Sequence, residues 1–185
     1  MSNSFLDEEL PPGHHSIRLK DHNYSAGGFY FVTICAPEKK CVFGRIVARE
    51  MQLTPLGRIV RECWMGIPEH FPRVQLHGFV LMPNHLHGII EIGRQMGRSG
   101  AAPLRPALPR VVGGSLGAVV RSFKAAVRKR ASQELSWEGE IWQRNYFDRV
   151  IRDGKEHADA RRYIQENILK WELDLENPEN RCRKA

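Results

Sequence analysis

The chain of 185 residues contains no long apolar run. Its longest apolar run, Phe29 to Ala36, has the length of one β-strand and falls well short of the ~20 residues that a membrane span needs. The first ten residues, MSNSFLDEEL, carry acids and lack both the basic segment and the apolar run of a secretory signal. We therefore expect a soluble chain that stays inside the cell and has no membrane partner.

Cysteine is also scarce. The four cysteines include no CxxC pair; they are Cys35, Cys41, Cys63 and Cys182. Disulfide frameworks belong to short secreted chains, so we expect small, half-buried thiols and assign them no function.

Acidic residues are absent from the segment 93–133. The segment contains nine basic residues: Arg94, Arg98, Arg105, Arg110, Arg121, Lys124, Arg128, Lys129 and Arg130. The rest of the chain then holds 19 basic and 21 acidic residues, so all of the net charge of +7 comes from this segment. A solvated basic face is the plain interpretation, but a block of one sign this long attracts a polyanion, for which nucleic acid is the default candidate. An acidic membrane surface is the weaker alternative, because the apolar face here holds no tryptophan.

The periodicity of apolar residues predicts an order of strands and helices. Strands are predicted at 27–36, 74–82, 85–92 and 141–151, helices at 54–67, 115–130 and 153–173, and a hairpin at 41–54 that turns near 48–50. Without the hairpin the order is β-α-β-β-α-β plus one helix. This is the ferredoxin-like order of an α+β fold, an antiparallel sheet with helices on one face. The hairpin is then an N-terminal insertion, and the extra helix lies at the C-terminal end.

The domain organisation follows from the same pattern. We expect a polar or disordered lead at 1–15, a single domain at 16–175 and a tail at 176–185. Within the domain, 93–114 is rich in Gly, Pro, Ala and Arg without a period, which predicts a flexible basic loop.

Two predicted helices have one polar and one apolar face. Ser115 is placed to cap the first, whose basic stripe holds Arg121, Lys124 and Arg128 opposite an apolar stripe. The second opens at Asp153 with Glu156 three residues on, an aspartate form of the capping box. Its apolar stripe is Ala160, Ile164, Ile168 and Trp171.

Two histidines begin the strand HLHGIIEI. Side chains at i and i+2 share one face of a strand, so His85 and His87 lie side by side. Imidazole is the commonest metal ligand, but HxH is a short motif, and both a metal site and a pair of structural histidines remain open. A third ligand is offered by YIQEN on the last helix, where Glu166 and Asn167 share a face with Tyr163. By itself this motif also fits a core-edge tyrosine beside ordinary helix surface.

Four segments together resemble the REP-associated tyrosine transposases, members of the HUH class of single-tyrosine enzymes that act on single-stranded DNA. They are VLMPNHLHGIIEI, SLGAVVRSFKAAVRKR, IWQRNYFDRVI and ARRYIQENILKWELD, in that order. The resemblance covers about Ser16 to Leu175. It implies that His85 and His87 hold a divalent metal, Mg²⁺ or Mn²⁺, and that Tyr163 is the nucleophile that forms a 5′-phosphotyrosine.

The resemblance further implies Asn167 as the third ligand, with Glu166 as an alternative. Ile168 stands where a proline commonly follows that asparagine, so the helix is able to continue. Tyr146 is the second candidate for the nucleophile.

The implied partner is single-stranded or hairpin DNA, and a homodimer is possible. The expected location is the bacterial cytoplasm, in association with the nucleoid. The candidate DNA-binding residues are Arg121, Lys124, Arg128, Lys129 and Arg144. A domesticated protein that binds DNA hairpins without cutting them is the alternative function.

Overall fold

The structure, a computed structural model, describes residues 27–93, 114–173 and 177–178. The predicted lead, the basic loop apart from Gly93 and Gly114, and most of the predicted tail lie outside these residues. The elements follow in the order β1 (Gly28–Cys35), β2 (Gly44–Val47), β3 (Glu50–Leu53), α1 (Pro55–Met65), α2 (Ile67–His70), β4 (Val74–Leu81), β5 (His85–Ile92), α3 (Leu116–Leu135), β6 (Phe147–Ile151) and α4 (Gly154–Lys170). Short 3₁₀ turns occupy Pro37–Lys39 and Trp171–Leu173.

Four strands form one antiparallel sheet in the order β4-β5-β1-β6. Together with α1 and α3 this is the ferredoxin-like arrangement, so the predicted α+β fold class is confirmed. The hairpin of β2 and β3 is confirmed as a separate two-stranded unit. Its turn residues Ala48 and Arg49 both have positive φ, 51° and 64°, as a two-residue turn of matching twist requires.

One face of the sheet packs against α1 and α3. Trp64 of α1 lies so close to β5 that a Cβ on Gly88 would come within 2.2 Å of the indole. The same indole meets Phe123 of α3 edge-on, with 5.3 Å between ring centroids. Gly88 therefore lets α1 approach the sheet closely enough to seal this core.

The other face packs against α4. Its apolar cluster joins Phe31 and Ile89 of the sheet to Ala160, Ile164 and Trp171. Because side chains alternate along a strand, β5 sends Leu86, Ile90 and Ile92 into the first core, while His85 and His87 face α4. The predicted extra helix thus covers the second face of the sheet.

The predicted caps at Ser115 and Asp153 are confirmed, and Thr54 caps α1 in the same way. Thr54 accepts from the amide of Gly57, Ser115 from that of Ala118, and Asp153 from that of Glu156. Each cap satisfies an amide that would otherwise lack a partner at a helix end.

The predicted strand 141–151 is wrong over its first half, because β6 begins only at Phe147. Trp142 turns inward instead and packs against Phe43 and Phe123, with ring centroids 4.9 and 5.4 Å apart. Residues 141–146 are therefore an irregular connection in which only Ile141 and Trp142 are buried, and its apolar residues resemble a strand pattern.

Three helix ends also differ from the prediction. Helix α3 continues to Leu135 instead of ending at 130. Helix α1 stops at Met65, and Pro68 is the second residue of the short helix α2 rather than a point beyond the helical region. Helix α4 ends at Lys170, and the chain continues as a 3₁₀ turn through Leu173.

Within the described ranges, no helix is both long and apolar enough to cross a lipid bilayer.

Candidate functional site

The two histidines at the start of β5 form a buried pair under α4. His85 is 1% exposed and His87 is 6% exposed. Their ring centroids lie 4.5 Å apart, with the planes at 72°. The two rings therefore contact each other between the sheet and the helix.

The two ring nitrogens of His85 have different surroundings. Nδ1 lies 2.7 Å from Oδ1 of Asn84. Nε2 is buried and has no hydrogen-bond partner among the described residues. Trp171 covers the ring at 6.1 Å between centroids. A buried polar atom without a partner is costly, and an electron-pair acceptor such as a metal ion would satisfy it.

His87 is held on three sides. Its Nδ1 lies 2.8 Å from the Thr33 hydroxyl, and Phe31 stacks on the ring at 5.4 Å. Its Nε2 lies 3.4 Å from the Tyr163 hydroxyl. The phenol of α4 therefore lies beside the histidine pair.

Burial keeps both imidazoles neutral. It lowers the pKa of His85 to about 3, and the nearby Lys39 charge acts in the same direction. The pKa of His87 is also well below the usual value, through burial first and the neighbouring His85 second. Metal ligation requires the neutral ring, so both histidines hold the ligating form at neutral pH.

Helix α4 positions the tyrosine by burying the residues around it. Ala160 and Ile164 are fully or almost fully buried against the sheet, while Phe31 meets the Tyr163 ring edge-on at 5.9 Å. One turn after Tyr163 the helix buries Asn167, which is 3% exposed. The helix runs through Ile168 without a break.

Asn167 and Glu166 face different surroundings. Oδ1 of Asn167 is buried and has no hydrogen-bond partner within the described part of the chain. The Glu166 carboxylate instead pairs with Lys170 at 2.5 Å on the exposed side of the helix, and this bond holds its pKa below the usual value. Of the two candidate third ligands, Asn167 is therefore the one with an unsatisfied oxygen inside the protein.

The donors at this site suit a divalent cation. Two neutral imidazoles and one amide oxygen are ligands that Mn²⁺ accepts, and Mg²⁺ prefers oxygen more strongly. Carboxylates and thiols do not complete the set, because no group of three His, Cys, Asp or Glu side chains with metal-binding geometry occurs among the described residues. Of the described cysteines, Cys35 is buried, Cys63 is half-buried and Cys41 is exposed.

The candidate DNA-binding cations on α3 lie apart from the histidines. Helix α3 packs on the opposite face of the sheet through Val120, Phe123 and Val127. The side chains of Arg121, Arg128 and Lys129 are exposed.

Lys124 has a different environment. Its ammonium donates to the main-chain carbonyls of Gln143 and Asn145, at 2.8 and 2.9 Å. Burial lowers its pKa to about 8, which still leaves most of it charged at neutral pH. The residue predicted to bind DNA therefore clamps the connection 141–146 onto α3.

Replacing Lys124 with Met is expected to lower the free energy of unfolding by about 1 to 2 kcal/mol, because two carbonyls lose a charged donor while the apolar stem remains. Urea unfolding measures this. The matched control is Lys129→Met, at an exposed position of the same helix, with an expected change within about 0.5 kcal/mol. Equal effects of the two substitutions would contradict the clamp.

Arg144 is exposed and lies near the end of the sheet that carries His85. Its neighbour Gln143 donates its amide to the carbonyl of Cys35 at 2.9 Å, and Cys35 pairs with His85 across the sheet. Tyr146, the other candidate nucleophile, instead packs against the core formed with α1 and α3.

Sequence reasoning missed the side chains that hold the histidines. Thr33 reads as an ordinary β1 residue, and Asn84 as a turn former. The only sequence signal for Thr33 is a hydroxyl in an apolar strand, and for Asn84 its position directly before the HxH motif.

The architecture and the site together define an α+β protein with a ferredoxin-like sheet and a histidine pair covered by a tyrosine-bearing helix. A solved structure of a REP-associated tyrosine transposase bound to a REP hairpin shares this fold. It matches with a TM-score of 0.54 at 18% identity, over 85% of this chain and 74% of that chain. At this identity the likeness establishes the fold alone.

Sequence comparison identifies a much nearer relative. An uncharacterized protein of Haemophilus influenzae is 46% identical over 169 residues, which are 87% of this chain and 92% of that protein. The chain therefore belongs to the same family as that Haemophilus protein. No family model matches the present chain.

Proposed function

We propose that the protein is a metal-dependent transposase or endonuclease that cleaves and rejoins single-stranded DNA through a 5′-phosphotyrosine at hairpin-forming repeats. The observation that carries the proposal is the Tyr163 hydroxyl, 3.4 Å from Nε2 of His87. The adjoining His85 ring offers an Nε2 that no group in the described ranges satisfies. The fold shared with a hairpin-bound transposase supports the proposal.

Tyr163 attacks the scissile phosphorus in the proposed reaction. A new bond forms between the phenol oxygen and phosphorus, the bond from phosphorus to the 3′ oxygen breaks, and that oxygen leaves with a proton as a 3′ hydroxyl. The DNA 5′ end stays on the tyrosine as a phosphodiester. A 3′ hydroxyl reverses the step with the same atoms, so rejoining needs no nucleotide cofactor.

The phenol needs assistance because its ordinary pKa is about 10. A divalent cation, when bound, polarises a non-bridging phosphate oxygen and offsets the charge that builds during in-line attack. His85, His87 and Asn167 would hold that cation. Phe31 and Thr33 fix the His87 ring, and α4 keeps the phenol against it, so the chain supplies orientation.

The test is incubation of the full chain with a single-stranded hairpin DNA and Mn²⁺, followed by denaturing electrophoresis. A DNA-protein adduct that resists denaturation supports the proposal. Hairpin binding without such an adduct would support the alternative function.

That alternative is a hairpin-binding protein that does not cut. One observation favours it: the exposed cations of α3 lie on the face of the sheet opposite the histidines. A DNA surface separated in this way from the tyrosine would serve recognition by itself. The position of the half-buried phenol beside two buried imidazoles favours the enzyme.

We propose Arg121, Arg128, Lys129 and Arg144 as phosphate-contacting residues, with Lys124 acting through the position of Arg144. Each cation that neutralises a phosphate contributes about 0.7 to 0.9 to the slope of log affinity against log salt.

Replacing Arg121 and Arg128 together with Gln is therefore expected to weaken hairpin binding and lower that slope by about 1 to 2. Fluorescence anisotropy over a salt series measures it. Arg61→Gln, on the exposed side of α1, is the control and should leave the slope unchanged. A slope unaltered in the α3 variant would remove this helix from the DNA surface.

A further inference from the structure

The turn between β4 and β5 is buried, and hydrogen bonds from the segment after β1 hold it in place. Asn84 is 0% exposed. Its carbonyl accepts from the amide of Ala36 at 2.8 Å, and the carbonyl of Pro83 accepts from the amide of Phe43 at 2.9 Å. The chain that follows β1 thus brackets the turn with two main-chain donors. This bracket leaves the Asn84 side chain little freedom to move.

The orientation of the Asn84 amide follows from the chemistry of its partners. Its Nδ2 lies 3.0 Å from the carbonyl oxygen of Lys39, and its Oδ1 lies 2.7 Å from Nδ1 of His85. A main-chain carbonyl only accepts hydrogen bonds, so the NH₂ group must face Lys39. The amide oxygen, which only accepts, is therefore the atom that faces His85.

We propose that Asn84 is a positioning residue that holds His85 in the Nδ1–H tautomer and thereby reserves Nε2 as a metal ligand. Because Oδ1 accepts, the His85 Nδ1 must donate, so the lone pair of the neutral ring is on Nε2. That nitrogen is the one left buried and without a hydrogen-bond partner among the described residues. Outer partners that fix the tautomer and the angle of a ligating histidine are a general feature of metal sites.

The hydrogen bonds from His85 to Asn84 and from Asn84 to Lys39 end at a turn with unusual backbone angles. Glu38 and Lys39 both have positive φ, 51° and 55°, within the 3₁₀ turn that follows β1. Two successive residues of this kind are uncommon without glycine, and strained backbone clusters at functional sites. Here the left-handed turn places the Lys39 carbonyl against the Asn84 amide. Backbone geometry after β1 is thus linked to the tautomer of a residue on β5.

His87 differs in the nature of its partner. The Thr33 hydroxyl either donates or accepts, so it does not select a tautomer of His87. The expected tautomer therefore concerns His85 alone, and the form of His87 does not bear on it. The inference rests on the proposed function in one respect: it assumes that Nε2 of His85 binds a metal. The tautomer itself is measured without metal or DNA, so its failure is separable from failure of the proposed function.

The test is the long-range ¹H–¹⁵N spectrum of the histidine rings in the metal-free full chain at neutral pH, with His85→Ala used for assignment. We expect the Nδ1–H pattern for His85 in the unaltered protein. Asn84→Ala should lose it and give a mixture that contains the Nε2–H form. Asn84→Asp keeps the accepting oxygen and should retain the Nδ1–H pattern.

Mn²⁺ binding gives the second readout. Affinity measured by titration calorimetry should fall about 10- to 100-fold in Asn84→Ala, the usual cost of losing an outer-shell partner, and recover at least partly in Asn84→Asp. Asn145→Ala, at an exposed asparagine, is the control and should change neither readout.

An Nε2–H pattern for His85 in the unaltered protein would overturn the inference, as would an unchanged Nδ1–H pattern in Asn84→Ala. If Asn84→Ala fails to fold, Asn84→Asp decides: an Nδ1–H pattern supports the inference, and its loss overturns it.

Discussion

Replacement of Tyr163 with Phe is expected to abolish the covalent DNA adduct, with a loss on the order of 10⁴-fold or more in the rate of its formation, as is typical when a nucleophile is removed. The phenyl ring keeps the edge-on contact with Phe31, so the substitution removes one oxygen and leaves α4 in place. Hairpin affinity should change by less than about twofold, because the predicted phosphate contacts lie elsewhere. Denaturing electrophoresis of labelled hairpin DNA measures the first quantity, and anisotropy measures the second.

The matched control is Tyr146→Phe, which removes the same atom from the other candidate nucleophile. Tyr146 packs against the α1 and α3 core, so this variant should form adduct at a rate close to that of the unaltered protein. Full adduct formation by Tyr163→Phe, or its loss only in Tyr146→Phe, would show that Tyr163 is not the nucleophile.

Removing either histidine of the pair is expected to lower the rate of adduct formation at a fixed Mn²⁺ concentration on the order of 100-fold or more, since loss of a ligand costs at least as much as loss of an outer-shell partner. Both rings are neutral at pH 7 because burial lowers their pKa, so protonation will not mask the effect. His85→Ala and His87→Ala should bind Mn²⁺ more weakly, and raising the Mn²⁺ concentration should restore part of the rate. Adduct kinetics over a Mn²⁺ series, with calorimetry, measure both effects.

His77→Ala is the control for these substitutions. His77 lies on β4 and pairs with Glu91 at 2.7 Å. It meets His157 of α4 edge-on, six residues before Tyr163 along that helix. This variant should keep both the Mn²⁺ affinity and the rate. Unchanged Mn²⁺ binding in His85→Ala, in a protein shown by circular dichroism to be folded, would exclude this pair as the metal ligands.

The strands of the sheet and the shared face of the two histidines could be predicted from the sequence, because both depend on the two-residue period of a strand. In HLHGIIEI, alternation by itself puts His85 and His87 on one face and the apolar residues Leu86 and Ile90 on the other. The stripe of α4 was accessible for a similar reason, since Ala160 and Ile164 repeat at helical spacing. Local periodicity therefore determined which surfaces would meet.

The long-range contacts could not be predicted from local periodicity. The inward turn of Trp142 depends on the space between Phe43 and Phe123, which no local pattern encodes, so 141–146 resembled a strand. Lys124 looked like one member of a basic stripe until the path of that segment brought two carbonyls to it.

The third candidate ligand shows the same limit. Glu166 and Asn167 both share the Tyr163 side of an isolated helix, and a difference of one residue decides which is buried when the helix meets the sheet. That choice depends on how α4 is rotated by the packing of Ala160, Ile164 and Trp171.

The most direct test of the account is a crystal structure of Tyr163→Phe with Mn²⁺ and a single-stranded hairpin DNA, with the metal located by anomalous scattering. We expect one Mn²⁺ bonded to Nε2 of His85 and Nε2 of His87, with the scissile phosphate beside it and next to the phenyl ring that replaces the phenol on α4. A histidine pair without metal at saturating Mn²⁺, or DNA bound with every phosphate remote from α4, would contradict it.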